Sequence, residues 1–526
     1  MPASVIMAHS GTRGEVTFQA RERAARCPRA DPAGRPDNDR AVAVDRPAKG
    51  RGQMAKKKGR EQAGGVVERA EAERLELIRL LYVDHGGVVR GKATSRSRLA
   101  ERLGTGIGLT LAMQAMTMLD ELQKVDGTGP VGEVRLVGDP DSFVVLPYAP
   151  GAGAMVADMV KLDGEPWEAC PRSFLKDAVA ALAREGYALV AAFEPEFTLG
   201  RREPAPGHEP GGLDRLVPVD QSLCFSTTGF GLAHDYAIEL VRALEAQGLV
   251  VEQYYPELGH GQQELSVRHA PALRAADNQV WYRETVRGVA WRQGLWASLA
   301  PRPVPDQAGN GAHLHASLWD LDPGAVPGSP GSRNLFYGPG DRHGLSDLAY
   351  HFIGGLLAHL PGLVALTCGS VNSYRRLVPR SWSSAYTCYG MDNREAAVRI
   401  ASRMWGMDEA SANLELKPSD STGNPYLALG AYIHAGLDGI RGKLDPGAPT
   451  DVDPADLSAS TRRRRGIRRL PDSLGAALDA LEQDELLMDV LGPLRRNAYL
   501  AVKRAEAAAF GQHDVAFECF HHFTKF

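Results

Sequence analysis

Residues 187–199, YALVAAFEPEFTL, set the frame for the whole chain. The run is apolar and bounded by Gly186 and Gly200, and it reads as a β-strand. Glu194 and Glu196 stand two apart, so both side chains leave the same face. Two like charges in a segment that otherwise reads as core are costly unless a cation lies between them. Taken alone, the pair is equally consistent with two solvent-facing carboxylates. Pro195 has no N–H to give to a ladder, which predicts an edge or irregular position.

The same spacing recurs. His313 and His315 flank Leu314 on a second expected strand, after the loop Ala308-Gly309-Asn310-Gly311, whose glycines permit close approach to a ligand. Glu415 and Lys417 form a third pair in NLELK, where a surface ion pair is the plainer reading. Glu257 and Glu264 bracket the turn ELGHGQQE behind the expected strand VVEQYY, and exposed hairpin ends are often acidic. Together these give five carboxylates and two imidazoles, one of which is a candidate ligand and the other a candidate hydrogen-bond donor to a phosphate. Hard oxygen donors with one nitrogen suit Mg²⁺ or Mn²⁺ and not Zn²⁺. Residues 372–400 then supply five arginines and no lysine. A solvated basic loop is the usual meaning of such a cluster, but arginine forks also grip carboxylates and phosphates bidentately. Divalent ions beside arginines suggest phosphoryl transfer. Neither GxxxxGK[ST] nor a GxGxxG after a strand occurs, so a nucleotide is held some other way.

Composition narrows the class. The chain has 526 residues, 44% hydrophobic and 24% charged, with a net charge of -4, which gives no reason to expect nucleic acid. Its six cysteines show no ligand spacing and read as reduced thiols of a cytoplasmic protein. No secretory signal is evident, and no run of roughly 18 to 20 apolar residues predicts a membrane span. Residues 1–65 are basic and rich in Ala, Pro and Gly, and are expected to lack structure. Met54 is a candidate translation start.

From there the pattern is α+β. A small domain is expected over 66–168. It has a helix at 66–80, a hairpin at 81–92, a helix at 109–123, a strand–turn–strand at 132–146 and a strand at 154–162. A larger domain is expected over 169–526. Ser173 is the expected N-cap of a helix at 174–185, and further helices are expected at 233–247, 275–293, 347–359 and 425–441. Strands are expected at 250–255, 296–299, 313–319, 396–400 and 413–417. A polar linker at 450–469 precedes two closing helices, 474–491 and 493–510.

The order of motifs resembles the glutamine synthetase superfamily. The matching segments are LYVDHGGVVRGK (81–92), LDGEPWEACPRS (162–173), FEPEF (193–197), ELGHGQQE (257–264), GNGAHLHASL (309–318), NSYRRLVP (372–379), NREAAVRI (393–400), the run from LELKPSD to LDGI (414–440) and LPDSLGAALDALE (470–482). The resemblance implies an N-terminal β-grasp-like domain and a catalytic domain with a curved antiparallel sheet flanked by helices. It implies a homo-oligomer, a dodecamer of two stacked hexameric rings. It also implies two or more Mg²⁺ or Mn²⁺ ions per site, one held by Glu196, Glu257 and Glu264 and another by Glu194, His313 and Glu415. His315 and Arg394 would contact ATP phosphates, with Arg399 nearby and Ser317 towards the adenine. Arg376 and the Gly309 backbone would hold glutamate. ATP would phosphorylate the γ-carboxylate, and an amine would then displace phosphate.

The departures are informative. Ammonium-using members follow RLVP with a Gly-Tyr-Glu-Ala-Pro flap whose Glu helps deprotonate ammonium. Here the segment is Arg380-Ser381-Trp382-Ser383-Ser384, and Trp382 falls at the Glu position. The Asp-Gly-Ser-Ser element that supplies an ammonium-binding Asp is absent from LTLAMQAMTMLDELQ (109–123). Lys417 stands where the family usually has a glutamate-binding Arg, which keeps the charge but loses the fork. Metal positions kept and ammonium-selecting acids lost point to the branch that joins glutamate to ethanolamine, polyamines or other amines. The alternatives are an ordinary ammonium-dependent synthetase and a catalytically silent member of the family.

Overall fold

The computed structural model describes residues 49–209, 212–321 and 331–526. The expectation for residues 1–48 lies outside them. The chain divides into a unit of residues 1–54 and a compact unit of residues 55–526. Lys49–Ala72 is one helix, so residues 49–65 are helical, contrary to expectation. AKKKGREQ is rich in strong helix formers, and the last turns bury Val66 and Ala70. Residues 77–80, expected to prolong that helix, are strand instead.

The first sheet contains β1 (Leu77–Val83), β2 (Val89–Ser95), β3 (Ile107–Thr110), β4 (Glu133–Gly138), β5 (Val144–Val145) and β6 (Ala152–Val160). Its order is β2-β1-β6-β4-β3, with β5 on β6. β1 and β6 run parallel and every other pair antiparallel, a grasp-like arrangement. The expected hairpin at 81–92 is β1–β2. Its turn is gripped from the rest of the fold: Arg283 Nη2 donates to Gly87 O at 2.7 Å, Lys503 Nζ to Gly86 O at 2.9 Å and Asn424 Nδ2 to Asp84 O at 3.1 Å. The helix expected over 109–123 is replaced by β3 and a 3-10 turn, Leu111–Ala115. Pairing of Ile107 with Leu136 overrides local propensity there, and Leu109 and Met118 enter different hydrophobic clusters.

The second sheet is built on β7 (Tyr187–Pro204), with β8 (Asp214–Pro218), β9 (Val251–Pro256), β10 (Gln262–Val267), β11 (Ala270–Pro271), β12 (Trp296–Ser298), β13 (Ala312–Asp320), β14 (Tyr389–Met391), β15 (Val398–Ile400) and β16 (Leu414–Leu416). The main path is β14-β15-β16-β13-β7-β10-β9, and β8, β11 and β12 also pair with β7. β7 is therefore central, not an edge. Pro195 sits opposite Ala312 where its neighbours change over: Glu196 N donates to Gly311 O at 2.9 Å, and Glu196 begins the pairing with β10. The missing N–H is tolerated because the ladder is already interrupted at that point.

Alternation divides the sheet's two faces. Phe193, Phe197, Leu199, Leu265, Leu314, Leu318, Leu414 and Leu416 pack into the main core beneath the helices. Full burial of each such side chain contributes about 1.5–3 kcal/mol. Their neighbours in sequence, Glu194, Glu196, Glu264, His313, His315 and Glu415, occupy the opposite face.

The helices under the sheet follow the capping signals with some shifts. Pro425–Gly442 starts at Asn424, whose Oδ1 accepts from Tyr426 N and Leu427 N. Asp347–Thr367 starts at Ser346 and continues through Pro361 beyond the expected end. The two helices cross at glycines, since a Cβ on Gly355 would meet Ala435 O at 2.1 Å and one on Gly439 would meet His351 O at 2.1 Å. Asp347–Thr367 is long and apolar enough to cross a membrane by length and composition alone, but 61% of its apolar window is buried inside the protein, as in a core helix. Pro171–Arg184 begins after Cys170 with Pro171 in its first turn, not at Ser173. His234–Ala246 and Ala272–Arg292 match the expected helices, with a short unforeseen helix, Thr227–Leu232, before them. The expected helix at 474–491 is two, Leu474–Glu482 and Glu485–Leu491, because Asp484 caps the second. Pro493–Phe510 follows, and Val515–Lys525 was not anticipated. The expected linker at 450–469 includes the helix Ala459–Arg464 and packs on the flap: Arg462 and Arg469 lie 5.3 and 5.7 Å from the Tyr386 ring centroid. Five cysteines are free thiols; Cys27 lies outside the described residues.

Candidate active site

Strand register assembles the site. Glu264 on β10 is opposite Glu196 on β7, and Glu194 is opposite His313 on β13. His315 is opposite Glu415 on β16, which is opposite Arg399 on β15. Directly opposed residues share a face, so one row of charges crosses five strands. Glu194, His313 and Glu415 converge most closely, with one donor atom from each within 4.8 Å of the others. His313 Nδ1 is 3.2 Å from Glu415 Oε1 and 4.0 Å from Glu194 Oε2.

The remaining expected ligands line the same region without joining that group. Glu196 Oε2 accepts from Gly311 N at 3.0 Å and Gln262 Nε2 at 2.5 Å, and its Oε1 is 3.9 Å from His313 Nε2. Glu264 accepts from the Tyr255 hydroxyl. Glu257 follows β9 and accepts from Leu258 N at 2.9 Å, with Cys224 Sγ 4.0 Å away.

Electrostatics show a buried excess of negative charge. Burial, and then the charges of Glu194 and Glu196, push Glu264 up to about 11. Burial also raises Glu196 to about 7, against the pull of Arg376. Glu257 is raised, again chiefly by burial, and Arg394 opposes that shift. Burial works against the Glu194 charge too, but its hydrogen bond to His315 prevails and holds it down at about 2. Burial opposes the charge on His315, yet the Glu194 hydrogen bond raises it to about 9. His313 is driven well below its ordinary value by burial and then by Lys417 and Arg376. It is therefore a neutral imidazole, the form that ligates metals. A neutral imidazole among crowded carboxylates fits a hard divalent cation.

The cationic residues have distinct settings. Arg376 Nη2 lies 3.0 Å from His313 Nε2 and donates to Lys417 O at 3.4 Å, while its buried Nη1 has no partner. Lys417 is buried, with Nζ 3.4 Å from Glu415 Oε1. Arg399 Nε is 2.9 Å from Glu415 Oε2. His315 Nε2 is 3.2 Å from Glu194 Oε2, and Nδ1 is 2.9 Å from Asn413 Oδ1. Ser317 Oγ accepts from Trp319 Nε1 at 2.9 Å. Arg394 is exposed. Gly309 and Arg376 line a cavity of about 410 Å³ together with Trp382, which is 58% exposed. A Cβ on Gly311 would meet Arg376 Nη2 and His313 Nε2 at 2.6 Å.

Sequence reasoning missed four residues that hold this arrangement. Gln262 ties Glu196 to Gly309 O, which it reaches at 3.0 Å. Tyr255 is opposite Glu264 in the β9–β10 register, Asn413 orients His315, and Glu395 accepts from Trp382 N. Gln262 and Tyr255 lie in the quoted segments ELGHGQQE and VVEQYY, so alternation from Glu264 was an available signal.

Known proteins match this architecture. The family described as glutamine synthetase, catalytic domain, matches residues 168–520, and the glutamine synthetase N-terminal domain family matches residues 62–167. The chain belongs to the glutamine synthetase family. It is an ATP-dependent ligase that forms carbon–nitrogen bonds. A gamma-glutamylpolyamine synthetase, GlnA3 of Streptomyces coelicolor, is 36% identical over 454 residues, covering 85% of this chain and 94% of that protein. The glutamine synthetase of Pyrococcus furiosus is 34% identical over 426 residues, covering 81% of this chain and 88% of that protein. Among solved structures, a glutamine synthase homolog superposes with a TM-score of 0.74 at 35% identity, over 86% of this chain and 99% of its own. GmaS in complex with ADP gives 0.72 at 30% identity, over 86% and 98%.

Proposed function

We propose that the protein joins glutamate to an amine other than ammonium, such as ethanolamine or a polyamine. ATP transfers its γ-phosphoryl group to the glutamate γ-carboxylate, giving γ-glutamyl phosphate and ADP. The amine nitrogen attacks the acyl carbon, phosphate leaves, and the nitrogen loses a proton.

The observation that carries this reading is Trp382, which lines the cavity beside Gly309 and Arg376, at the position where the family resemblance implies a flap glutamate in ammonium-using members. An aromatic face attracts an alkylammonium group by about 0.5–2 kcal/mol and does not select for ammonium itself. The polyamine synthetase relative favours the same reading. The archaeal relatives named glutamine synthetase favour a second one, an ordinary ammonium-dependent enzyme.

In this proposal Glu194, His313 and Glu415 hold one Mg²⁺ or Mn²⁺, and Glu196, Glu257 and Glu264 hold another. The ions neutralise phosphate charge. His315, Arg394 and Arg399 face the ATP phosphates and Ser317 the adenine side. Arg376, Lys417 and the Gly309 backbone hold glutamate, with Arg376, Arg394 and Trp382 nearest the chemistry. Residues 66–168 form the N-terminal domain and 169–526 the catalytic domain. We place the enzyme in the cytoplasm as a homo-oligomer, a dodecamer of two stacked hexameric rings.

The test is glutamate-dependent phosphate release from ATP with Mg²⁺, across ammonium, ethanolamine, putrescine, spermine and methylamine. An alkyl amine as best acceptor is expected, and ammonium as best acceptor overturns the proposal. No turnover with any amine would leave a silent family member, with a Glu196→Ala variant as the inactive control.

A further inference from the structure

The flap, residues 379–384, has an unusual backbone. Arg380, Trp382 and Ser384 have φ of 60°, 56° and 67°, three non-glycine residues in the left-handed region within five positions. Such conformations persist only where surrounding contacts hold them. Alternation of this kind turns successive amide N–H groups inward and makes a concavity suited to an anion.

A carboxyl group is seated there, and it belongs to the chain. Glu395, 7% exposed and three residues before β15, accepts from Trp382 N at 2.6 Å through Oε1. Burial raises its carboxyl above the ordinary value, and the hydrogen bond from the Trp382 amide opposes that shift. Its Oε2 is buried without a hydrogen-bond partner. The Trp382 side chain, by contrast, is exposed at the cavity mouth. The flap is also tied to the site itself, because Ser381 Oγ donates to Val378 O at 2.5 Å and lies 3.2 Å from Arg376 O.

We infer that Glu395 is the positioning residue of the flap: its carboxyl group, hydrogen-bonded to the amide of Trp382, fixes where the Trp382 ring stands and so which amines are admitted. This deepens the amine-ligase reading above and rests on it. One carboxylate oxygen holds the tryptophan amide, while the other stays unpaired. Glu395 acts through the backbone of Trp382 and needs no contact with substrate.

The experiment compares full-length Glu395→Ala and Glu395→Gln with the unsubstituted enzyme. It measures KM separately for ATP, glutamate and each amine, together with amide hydrogen exchange across residues 379–384. Loss of a hydrogen bond to a charged group predicts that Glu395→Ala raises the amine KM about ten-fold or more and speeds flap exchange similarly. It should also flatten the preference among amines, with the KM for ATP and glutamate and the Tm little changed. Glu395→Gln keeps an acceptor oxygen for Trp382 N and should recover most of the difference. Unchanged amine preference and flap exchange in Glu395→Ala overturn the inference, and so does an equal rise in all three KM values with a fall in Tm. If the unsubstituted enzyme makes no glutamyl amide, the functional reading has failed, and the exchange measurement alone decides whether Glu395 holds the flap.

Discussion

His313 Nδ1 lies 3.2 Å from Glu415 Oε1, two residues along β13 from His315, the residue directly opposite Glu415. Glu194 approaches the same nitrogen from the other neighbour, β7, at 4.0 Å. The three donors come from three strands far apart in the chain, so the group exists only when the sheet is formed. Burial keeps His313 neutral while the carboxylates around it compete for charge, and a divalent cation relieves that competition.

Removal of a donor should therefore uncouple stability from metal. Adding Mg²⁺ or Mn²⁺ to the chelator-treated enzyme should raise its Tm, with a gain of about 2.7 kcal/mol at a free ion concentration of one hundred times Kd. In Glu415→Ala and His313→Ala most of that gain should vanish, along with phosphate release. Scanning calorimetry with and without EDTA reads this directly. An undiminished metal-induced shift in both variants would contradict the assignment.

Arg376 should matter to glutamate more than to ATP. Its Nη2 is engaged with His313 and Lys417 O, while its buried Nη1 has no partner. Arg376→Lys keeps the charge but removes the fork, a loss of about 1.5–3 kcal/mol, or roughly 10- to 100-fold in kcat/KM for glutamate. Steady-state titration of each substrate tests it, and a larger rise in KM for ATP than for glutamate would refute it.

Trp382 gives the most direct test of the proposed acceptor. Trp382→Glu introduces the acid that the family resemblance implies for the flap of ammonium-using members. Turnover with ammonium should rise and the KM for alkyl amines should increase several-fold, consistent with loss of about 0.5–2 kcal/mol of cation–π attraction. Product analysis by mass spectrometry separates glutamine from a substituted amide. Unaltered amine preference would remove Trp382 from the argument.

Acid should weaken the tether that Arg375 makes beside Arg376. Burial works against the Glu518 charge, but Arg375, at 2.6 and 2.7 Å, and Asn372, at 2.8 Å, hold its carboxyl below the ordinary 4.5. A folded value below the unfolded one means the stabilisation is fully present above about pH 4.5 and is lost as pH falls through the lower folded value. Glu518→Gln should accordingly be less stable than the unsubstituted protein at pH 7, with the gap shrinking below pH 4.5. Urea midpoints at both pH values measure it, and a gap that widens in acid would reverse the sign of the argument.

Residue spacing made much of the site legible. FEPEF, HLH and LEL each place two polar groups on one face of a strand, and that parity survives folding because it is a property of the extended backbone. Helix limits marked by Asn424 and Ser346 were also readable, since a cap is a local hydrogen bond. Local signals failed where long-range contacts chose the outcome. Residues 109–123 read as a helix but pair with β4 through residues 107–110, and Pro195 read as an edge signal inside the most central strand. Glu395 drew no notice as a single acid in NREAAVRI, because its partner is a main-chain amide thirteen residues earlier, exposed only by the flap's backbone conformation.

The sequence by itself determined the family motifs, the alternation that divides charges from core, and the presence of Trp382 in the segment after RLVP. Only the tertiary structure decided the register. Register sets Glu264 against Glu196, Glu194 against His313, and His315 against Glu415 and Arg399. A shift of one residue in any pairing would send its charged side chains into the apolar core. Burial of the large residues on the other face forbids that shift, and so the packing beneath the sheet places the chemistry above it.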